Sequence, residues 1–352
     1  MQTEKNITIY DLAKEACVSP ATVSRVLTGS ANVREDKKER ILNLIDKYNY
    51  KPSAVARGLS DTRSRMIGII VADIRNSFYA DMYVACEKAA SREGYSVMLM
   101  NSFGDVDVEK QQIEKLSEWR VDAIIQLGGT VDARKSDPDY VKEVNETAGG
   151  IPFIVSGRLD GTDCYRVSID HAAAMEMLVK HLYENGNRRI ALLGGRKNVE
   201  STYNKYETFL KLAEQYGFEK GLLYTDNWGG YDTEQGVRSM DTLLKRFRLA
   251  ALPLPEAIIC VNDLTAVGVI KRLHAEKLRI PEDIAVVSYD NIDICEVVEP
   301  SLTSVAYDYE KMGRIMVKTA ISALNGEKTE HVRFIKPAKL EIRASSKVPD
   351  PV

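Results

Sequence analysis

Long hydrophobic runs are missing from this 352-residue chain. Apolar stretches such as "MIGIIVA" (Met66 to Ala72) fall far short of the roughly 20 residues a membrane-spanning helix needs. Cysteine is sparse: Cys17, Cys86, Cys164, Cys260 and Cys295 are odd in number, scattered, and form no Cys-x-x-Cys pair. That speaks against a disulfide framework and a structural metal site, and for a reducing compartment. The N-terminus is charged and has no apolar leader segment, so a cytoplasmic protein without membrane association is expected. Catalytic signatures are also lacking. The glycine pairs in "LGGT" and "LGGRKN" do not match G-x-G-x-x-G, and no P-loop occurs. The four histidines (His171, His181, His274, His331) stand in helical or strand-edge contexts without an evident nucleophile partner. These absences point away from an enzyme and imply no cofactor.

What is present is ordinary for a folded protein: 44% hydrophobic and 28% charged residues, enough chain for two or three domains and a full core. A net charge of −3 excludes bulk attraction to nucleic acid. The charge is unevenly placed, however. Through Arg65 there are 12 Lys and Arg against 8 Asp and Glu; the remainder has 36 against 43. A small basic head on an acidic body fits a localised anion-binding surface.

The head carries the most specific pattern, "IYDLAKEACVSPATVSRVL" (Ile9 to Leu27). Thr8 and Asp11 form a T-x-x-D cap before an apolar stripe at Ile9, Leu12, Ala13 and Ala16. Ser19 caps a second helix that starts at Pro20, where a missing N–H costs nothing. Val23, Val26 and Leu27 form its inner stripe and leave Ala21, Thr22, Ser24, Arg25 and Thr28 outside. A third stripe, Ile41, Leu44, Ile45 and Tyr48, completes a three-helix core. Two short helices about a tight turn, with a small polar outer face, make a helix-turn-helix pattern whose second helix suits the major groove. Hydroxyls there reach phosphates, and Arg25 can fork onto guanine.

"TIYDLAKEACVSPATVSRVLTGSANV" together with "YNYKPSAVARGL" resembles the head of the lactose/galactose repressor (LacI/GalR) family of bacterial transcription regulators, and the likeness runs through essentially the whole chain. The resemblance implies a helix-turn-helix head, a hinge and a two-lobed, periplasmic-binding-protein-like core. It also implies a homodimer on palindromic operator DNA, controlled by a small-molecule effector. By similarity, Ile9, Pro20, Ala21 and Arg25 hold base-reading positions, and Ser19, Thr22, Ser24 and Asn32 phosphate-contacting ones. Tyr50 and Ala56 are further DNA contacts, and Leu59 is the hinge leucine that wedges into the minor groove. There are departures from the family. Cys17 replaces the usual glycine in the inter-helix turn, where a left-handed backbone suits only glycine. Thr28 stands for a common asparagine, and Gly58 for a more usual serine.

From Met66 onward, short apolar strands alternate with helical stretches: "IGIIVA", "YSVMLMN", "DAIIQLG", "IPFIVSG", "RIALLGG", "GLLYTD", "AIICVN" and "IAVVSYD". This is an α/β pattern with parallel sheets covered on both faces, too long for one sheet. Two doubly wound lobes follow, with "VRFIKPAKLEIR" read as one long final strand. The expected organisation is a head over 1–52, a hinge over 53–65 and a core over 66–346. Within that core, lobe 1 takes about 66–167 and 303–332, and lobe 2 about 168–302 and 333–346. The short stretch after the last strand leaves no tetramerisation heptads, so a dimer is expected.

Ligands of doubly wound sheets lie beyond the carboxyl ends of the strands. The residues there are polar and aromatic: Asp73 with Phe78 and Tyr79, Gln126, Arg158, Asp170, Trp228, Asn262 with Asp263, and Tyr289 with Asp290. Such groups bracket hydroxyls and cover the C–H face of a sugar ring, although Asp263 equally well caps its own helix. The resemblance assigns effector contact most firmly to Phe78, Tyr79, Arg158, Trp228, Asn262 and Asp290. The helix near Ser201 usually carries an effector-binding arginine, where "STYNKYETF" has Tyr203 and Lys205. A carbohydrate is the first choice of effector, with a purine-like ligand as the alternative. A periplasmic solute-binding protein would share the lobes but not the head.

Overall fold

The computed structural model describes residues 7–28, 33–50, 63–218, 224–226 and 229–346. It divides into two compact units that meet at Arg65 and Met66. In the head unit, helices span Ile9–Glu15, Pro20–Thr28 and Glu35–Lys47. The first opens on a complete capping box. Thr8 Oγ1 accepts from the Asp11 N–H at 3.3 Å, and the Asp11 carboxylate accepts from the Thr8 N–H at 2.9 Å. Ser19 Oγ accepts from the Thr22 N–H at 3.2 Å and so starts the second helix. Leu12, Ala13, Ala16, Val23 and Ile41 are buried at the centre, with Val26, Leu27, Leu44, Ile45 and Tyr48 packed around them. Arg40 donates to the Ala16 carbonyl at 3.2 Å, tying the third helix to the turn.

In the core unit, the first lobe's sheet contains β1 (Met66–Val71), β2 (Ser96–Asn101), β3 (Ala123–Leu127), β4 (Phe153–Val155), β5 (Tyr165–Ile169) and β11 (Val332–Ile335). Its order is β2-β1-β3-β4-β5-β11, with every pair parallel. The second lobe's sheet contains β6 (Ile190–Leu193), β7 (Tyr224–Asp226), β8 (Ala257–Cys260), β9 (Ala285–Asp290), β10 (Thr303–Ala306) and β12 (Lys339–Glu341). Its order is β7-β6-β8-β9-β10-β12, and only β12 runs antiparallel. Helices cover both faces of each sheet, so central strands such as β3, β6 and β8 are buried along their length. The helices Ser77–Arg92 and Tyr309–Leu324 pack on each other beside the first sheet, and His171–Glu184 packs on Glu200–Gln215 beside the second.

The chain crosses between the lobes three times: at Asp170, at Tyr307 and Asp308, and over residues 336–338. These crossings lie a few residues beyond the sequence-based boundaries of 167, 302 and 332. Backbone pairing decides the difference, because Thr303–Ala306 pairs with β9 of the second sheet and Val332–Ile335 with β5 of the first. The tail is likewise two strands rather than one. Pro337 has no N–H to donate, and the break there lets β11 and β12 join different sheets. β5 and β10 were not anticipated. Their polar members, Arg166 and Ser168, and Thr303 and Ser304, interrupt the apolar runs that mark the other strands.

In the head, Cys17 holds a φ of 54° in the turn between the first two helices, the left-handed backbone that glycine adopts without cost. Cys17→Gly is therefore expected to stabilise the head by about 0.5–1 kcal/mol. The check is amide hydrogen exchange in the helix Ile9–Glu15 of the full-length chain, expected to slow by about two- to fivefold. Unchanged or faster exchange would show that the turn is not strained.

Candidate functional site

Two surfaces carry candidate chemistry. On the head, Val23 turns the second helix inward. Ala21 and Arg25, four residues apart and thus on one face, are exposed, as is Ser19. Thr22, Ser24 and Pro20 are partly exposed beside them. The Ser19 and Thr22 hydroxyls lie 2.9 Å apart, so both sit at the start of the helix, where backbone N–H groups suit a phosphate. Ile9 and Tyr50 pack partly buried against the small core, whereas Tyr10, beside Ile9, is 71% exposed and went unremarked in the sequence. Asn32, Ala56 and Leu59 lie outside the described residues.

The second surface lies where the carboxyl ends of the two sheets face each other. On the first lobe, Asn76 Oδ1 caps the helix Ser77–Arg92 by accepting from the Phe78 N–H at 3.1 Å. This places Tyr79 on the first turn, where its hydroxyl donates to Asp132 Oδ2 at 3.2 Å. Phe78 meets Tyr79 and Tyr309 edge-on, with ring centroids 5.2 and 5.9 Å away. Asp132 ends a short turn, Gly129–Asp132, and its glycines are there for space as well as conformation. A Cβ on Gly128 would overlap the Tyr79 hydroxyl, and one on Gly129 would overlap the Glu109 carboxylate. Glu109 is fully buried and accepts from Ser102 Oγ at 3.1 Å, Gln126 Nε2 at 3.0 Å and the Thr130 N–H at 3.2 Å. Burial pushes the Asp132 carboxyl up to about 6, against the pull of its hydrogen bond from Tyr79.

On the second lobe, Lys205 is buried on the helix Glu200–Gln215. Its ammonium donates to the Val261 carbonyl at 2.7 Å and lies 4.0 Å from the centroid of the Tyr289 ring. Burial lowers its pKa below the usual lysine range, opposed by the charges of Asp290 and Asp263. Burial likewise holds Asp290 above the usual carboxylate range, against the attraction of Lys205. The backbone at Asp290 is strained, with φ at 97°, and Asn291 follows at 53°. Buried Asp263 pins this turn, accepting from the Ile292 N–H at 2.9 Å, from Ser304 Oγ at 2.7 Å and from Ser288 Oγ. Tyr309 closes it from the other side by donating to the Asp290 carbonyl at 2.8 Å. Where the lobes meet, the Arg134 N–H donates to the Asn198 carbonyl at 2.9 Å, and its guanidinium lies 3.3 Å from the centroid of the Tyr203 ring.

The structure thus brings Phe78, Tyr79 and Asp290 together, with Tyr309 between Phe78 and the Asp290 turn. Other expected contacts are engaged elsewhere. Gln126 is fully buried and committed to Glu109 and Tyr140, whose hydroxyl donates to it at 2.5 Å. Its amide braces the Gly128–Asp132 turn from inside the lobe. Asn262 caps the helix Asp263–Ala275 through Thr265 and donates to the Tyr231 carbonyl at 2.8 Å. Asp170 caps the helix His171–Glu184. Asp73 forms an ion pair with Arg75 at 2.7 Å, and Arg158 with Asp160 at 2.5 Å; both are partly exposed. Trp228 lies outside the described residues. Asp132, Arg166, His171, Tyr231 and Tyr309 were not picked out from the sequence as site residues. Arg166 lies within one unanticipated strand and Tyr309 just past the other, and Asp132 stands five residues past its strand end. Among the described residues no cluster of three His, Cys, Asp or Glu side chains is placed to hold a metal ion, and no helix is long and apolar enough to cross a membrane.

Comparison with known proteins bears on both surfaces. Residues 8–53 match the model of the bacterial regulatory proteins of the lacI family, and residues 179–346 that of the periplasmic binding protein-like domain. Catabolite control protein A of Staphylococcus aureus is 32% identical over 345 residues, which are 97% of this chain and 99% of that protein. The Staphylococcus xylosus protein of the same name is 31% identical over 343 residues, with the same coverage. Among solved structures, the Lac repressor dimer bound to operator and the anti-inducer ONPF superposes with a TM-score of 0.82 at 23% identity, covering 98% of this chain and 100% of that one. The complex of the transcriptional regulator CelR with cellobiose gives 0.69 at 26% identity, covering 96% and 99%. A helix-turn-helix head and two doubly wound lobes, matched along nearly their full length by these regulators, establish that the chain belongs to the LacI family of bacterial regulatory proteins.

Proposed function

We propose that this protein is a transcriptional repressor that binds a palindromic operator as a homodimer and is controlled by a small carbohydrate held between its lobes. The observation that carries the DNA half is the exposed face of the helix Pro20–Thr28. Ala21 and Arg25 share one side of it, and the Ser19 and Thr22 hydroxyls stand at its start. Small residues allow close approach to base edges, the hydroxyls suit phosphates, and Arg25 reads a guanine. Asn32, Tyr50, Ala56 and Leu59 join this set by resemblance. A regulator of this kind works in the cytoplasm, where its operator is.

Supporting the effector half are the aromatic wall of Phe78, Tyr79 and Tyr309, with Asp132 beside it on the first lobe, and the polar groups of Lys205 and Asp290 on the second lobe. Rings of this kind cover the C–H faces of a sugar, and paired donors and acceptors bind its hydroxyls. Cellobiose occupies CelR, and a LacI family regulator from Enterococcus faecium holds ribose. We read the cleft as regulatory rather than catalytic, with no cofactor. A ligand that touches both lobes favours one arrangement of them only through its differential affinity for the two. In the proposed dimer that arrangement governs the distance between the heads. Sugar and operator affinities are then reciprocally coupled, by about 1–3 kcal/mol.

Selection from a random oligonucleotide pool with the full-length protein is expected to enrich a two-fold symmetric site; enrichment of none would defeat the reading. On that site, Arg25→Ala should cost about 1–3 kcal/mol and relax preference at one base per half-site. An equal loss on random DNA would make Arg25 a phosphate contact instead. Asp290→Ala and Trp228→Ala are expected to abolish the response of operator binding to sugar while leaving sugar-free operator binding intact. Operator titrations with each mono- or disaccharide that raises the Tm test this. Turnover of any such sugar, or tight binding without effect on operator affinity, would overturn the regulatory reading.

A further inference from the structure

Lobes linked by crossings along one side of a cleft are free to gape at the other unless something holds them there. The crossings of this chain follow β5, β10 and β11, at one edge of each sheet. A second junction stands well away from them. It joins the segment after β3 to the segment after β6, two strands from β5 in the first sheet and three from β10 in the second. At about 4.8 Å per strand, that is roughly 10–15 Å from the crossings. There Ala133 pairs with Val199 as an antiparallel bridge, and the Arg134 N–H donates to the Asn198 carbonyl at 2.9 Å. The Arg134 guanidinium covers the Tyr203 ring, 3.3 Å from its centroid.

Both arms of this junction are stiff. On the first lobe, the Val131 carbonyl accepts from the Arg158 N–H at 2.5 Å, so close to Gly157 that a Cβ there would overlap it. Glu109 holds the Thr130 N–H beside it. On the second lobe, Arg196 Nε donates to the Gly229 carbonyl at 2.7 Å, and the Thr202 and Tyr231 hydroxyls lie 2.8 Å apart. Braced arms that meet through one short pairing make or lose it as a unit. All of its groups belong to the protein, so the pairing needs no third molecule. Arg134 is exposed and Tyr203 half-buried, and water weakens a cation over a ring at such a place, which keeps the junction reversible.

We propose that Arg134 and Tyr203, with the backbone pairing beside them, form a latch that holds the lobes closed on the far side of the cleft before a ligand binds. Latch and cleft share their supports. Asp132 stands between Val131 and Ala133 on the first arm, and Lys205 follows Tyr203 by two residues on the second. A ligand that finds the lobes already closed need not supply the free energy of closing, so its apparent affinity rises with the closed fraction. The effect on sugar and DNA rests on the function proposed above; the latch itself does not.

The test places a disulfide across the latch of the full-length protein. Partners in an antiparallel bridge lie about 4.5–5.5 Å apart at Cα, within disulfide reach. Ala133→Cys with Val199→Cys is therefore treated with oxidised glutathione and no sugar. For each bridge formed, the two thiols are oxidised and one glutathione disulfide is reduced to two thiols. Peptide mapping without reduction separates this bridge from adducts at Cys17 and Cys164, the native cysteines that are not buried. We expect the bridge to form, and adding Tyr203→Leu or Arg134→Ala to slow it by about three- to tenfold, with Tyr203→Phe leaving the rate unchanged. No bridge in protein that keeps the parent Tm, or an unaltered rate in both weakened variants, would overturn the latch. Should the cysteine pair fail to fold, exchange of the Arg134 amide decides: it quickens about three- to tenfold in Tyr203→Leu if the latch exists and is unchanged if it does not. Any of cellobiose, ribose, glucose or maltose that raises the Tm should bind Tyr203→Leu about three- to tenfold more weakly, and the oxidised pair should lose the response of operator affinity to it. An oxidised pair whose operator affinity still follows the sugar would overturn the link from latch to DNA. A bridge that forms while no sugar raises the Tm would count against the sugar reading and leave the latch standing.

Discussion

Three short segments carry the chain between two lobes, and the hydrogen bonds that hold them side by side are the constraint on which the cleft depends. The Asp170 N–H donates to the Ile335 carbonyl, and the Ala338 N–H to the Ala306 carbonyl, both at 2.9 Å. Because the segments are joined to one another, they form one narrow strip that links the two sheets. Each sheet is stiffened by helices on both faces, so a small change at the strip becomes a larger one at the lobe surfaces. Most of the groups that matter chemically adjoin the strip or the strand ends above it.

The cleft is also where the fold departs from its own rules. Elsewhere most buried positions are apolar, and most of the described helices open on a side-chain cap. Here a lysine is buried, a carboxylate sits at a φ of 97°, and a second buried carboxylate holds that turn in place. Each feature costs stability, and none improves the packing of either lobe. A set of costly features gathered around one space, supported by well-satisfied neighbours such as Glu109 and Asp263, is what a binding site requires of a rigid scaffold.

Much of this was legible in the sequence. The capping box at Thr8 and Asp11, the Ser19-Pro20 start and the three apolar stripes of the head appear as read, because each depends on neighbours within a few residues. Eight strands were visible as apolar runs, because parallel strands buried on both faces are apolar throughout. The two unanticipated strands mix polar with apolar residues and are held by long-range pairing, which leaves no local mark. The site was legible as a region rather than as a set of contacts. Strand ends are readable, and Phe78, Tyr79 and Asp290 meet there. Whether a polar residue at a strand end faces a ligand or braces its own loop depends on partners far away in sequence. Gln126 was unreadable in this sense, since its partners Glu109 and Tyr140 lie 17 and 14 residues away.

The two-strand tail has a bearing on how the molecule is made. β11 completes the edge of the first sheet and β12 that of the second, and they stand three residues apart, late in the chain. On a ribosome, both lobes therefore emerge nearly whole while each still lacks its last strand and shows an unpaired sheet edge. The head is a compact unit of its own, made from the first 65 residues of the chain. The residues of the head are thus all synthesised before those that complete the two sheets flanking the cleft. A single stretch of about ten residues, Val332–Glu341, then closes both lobes together.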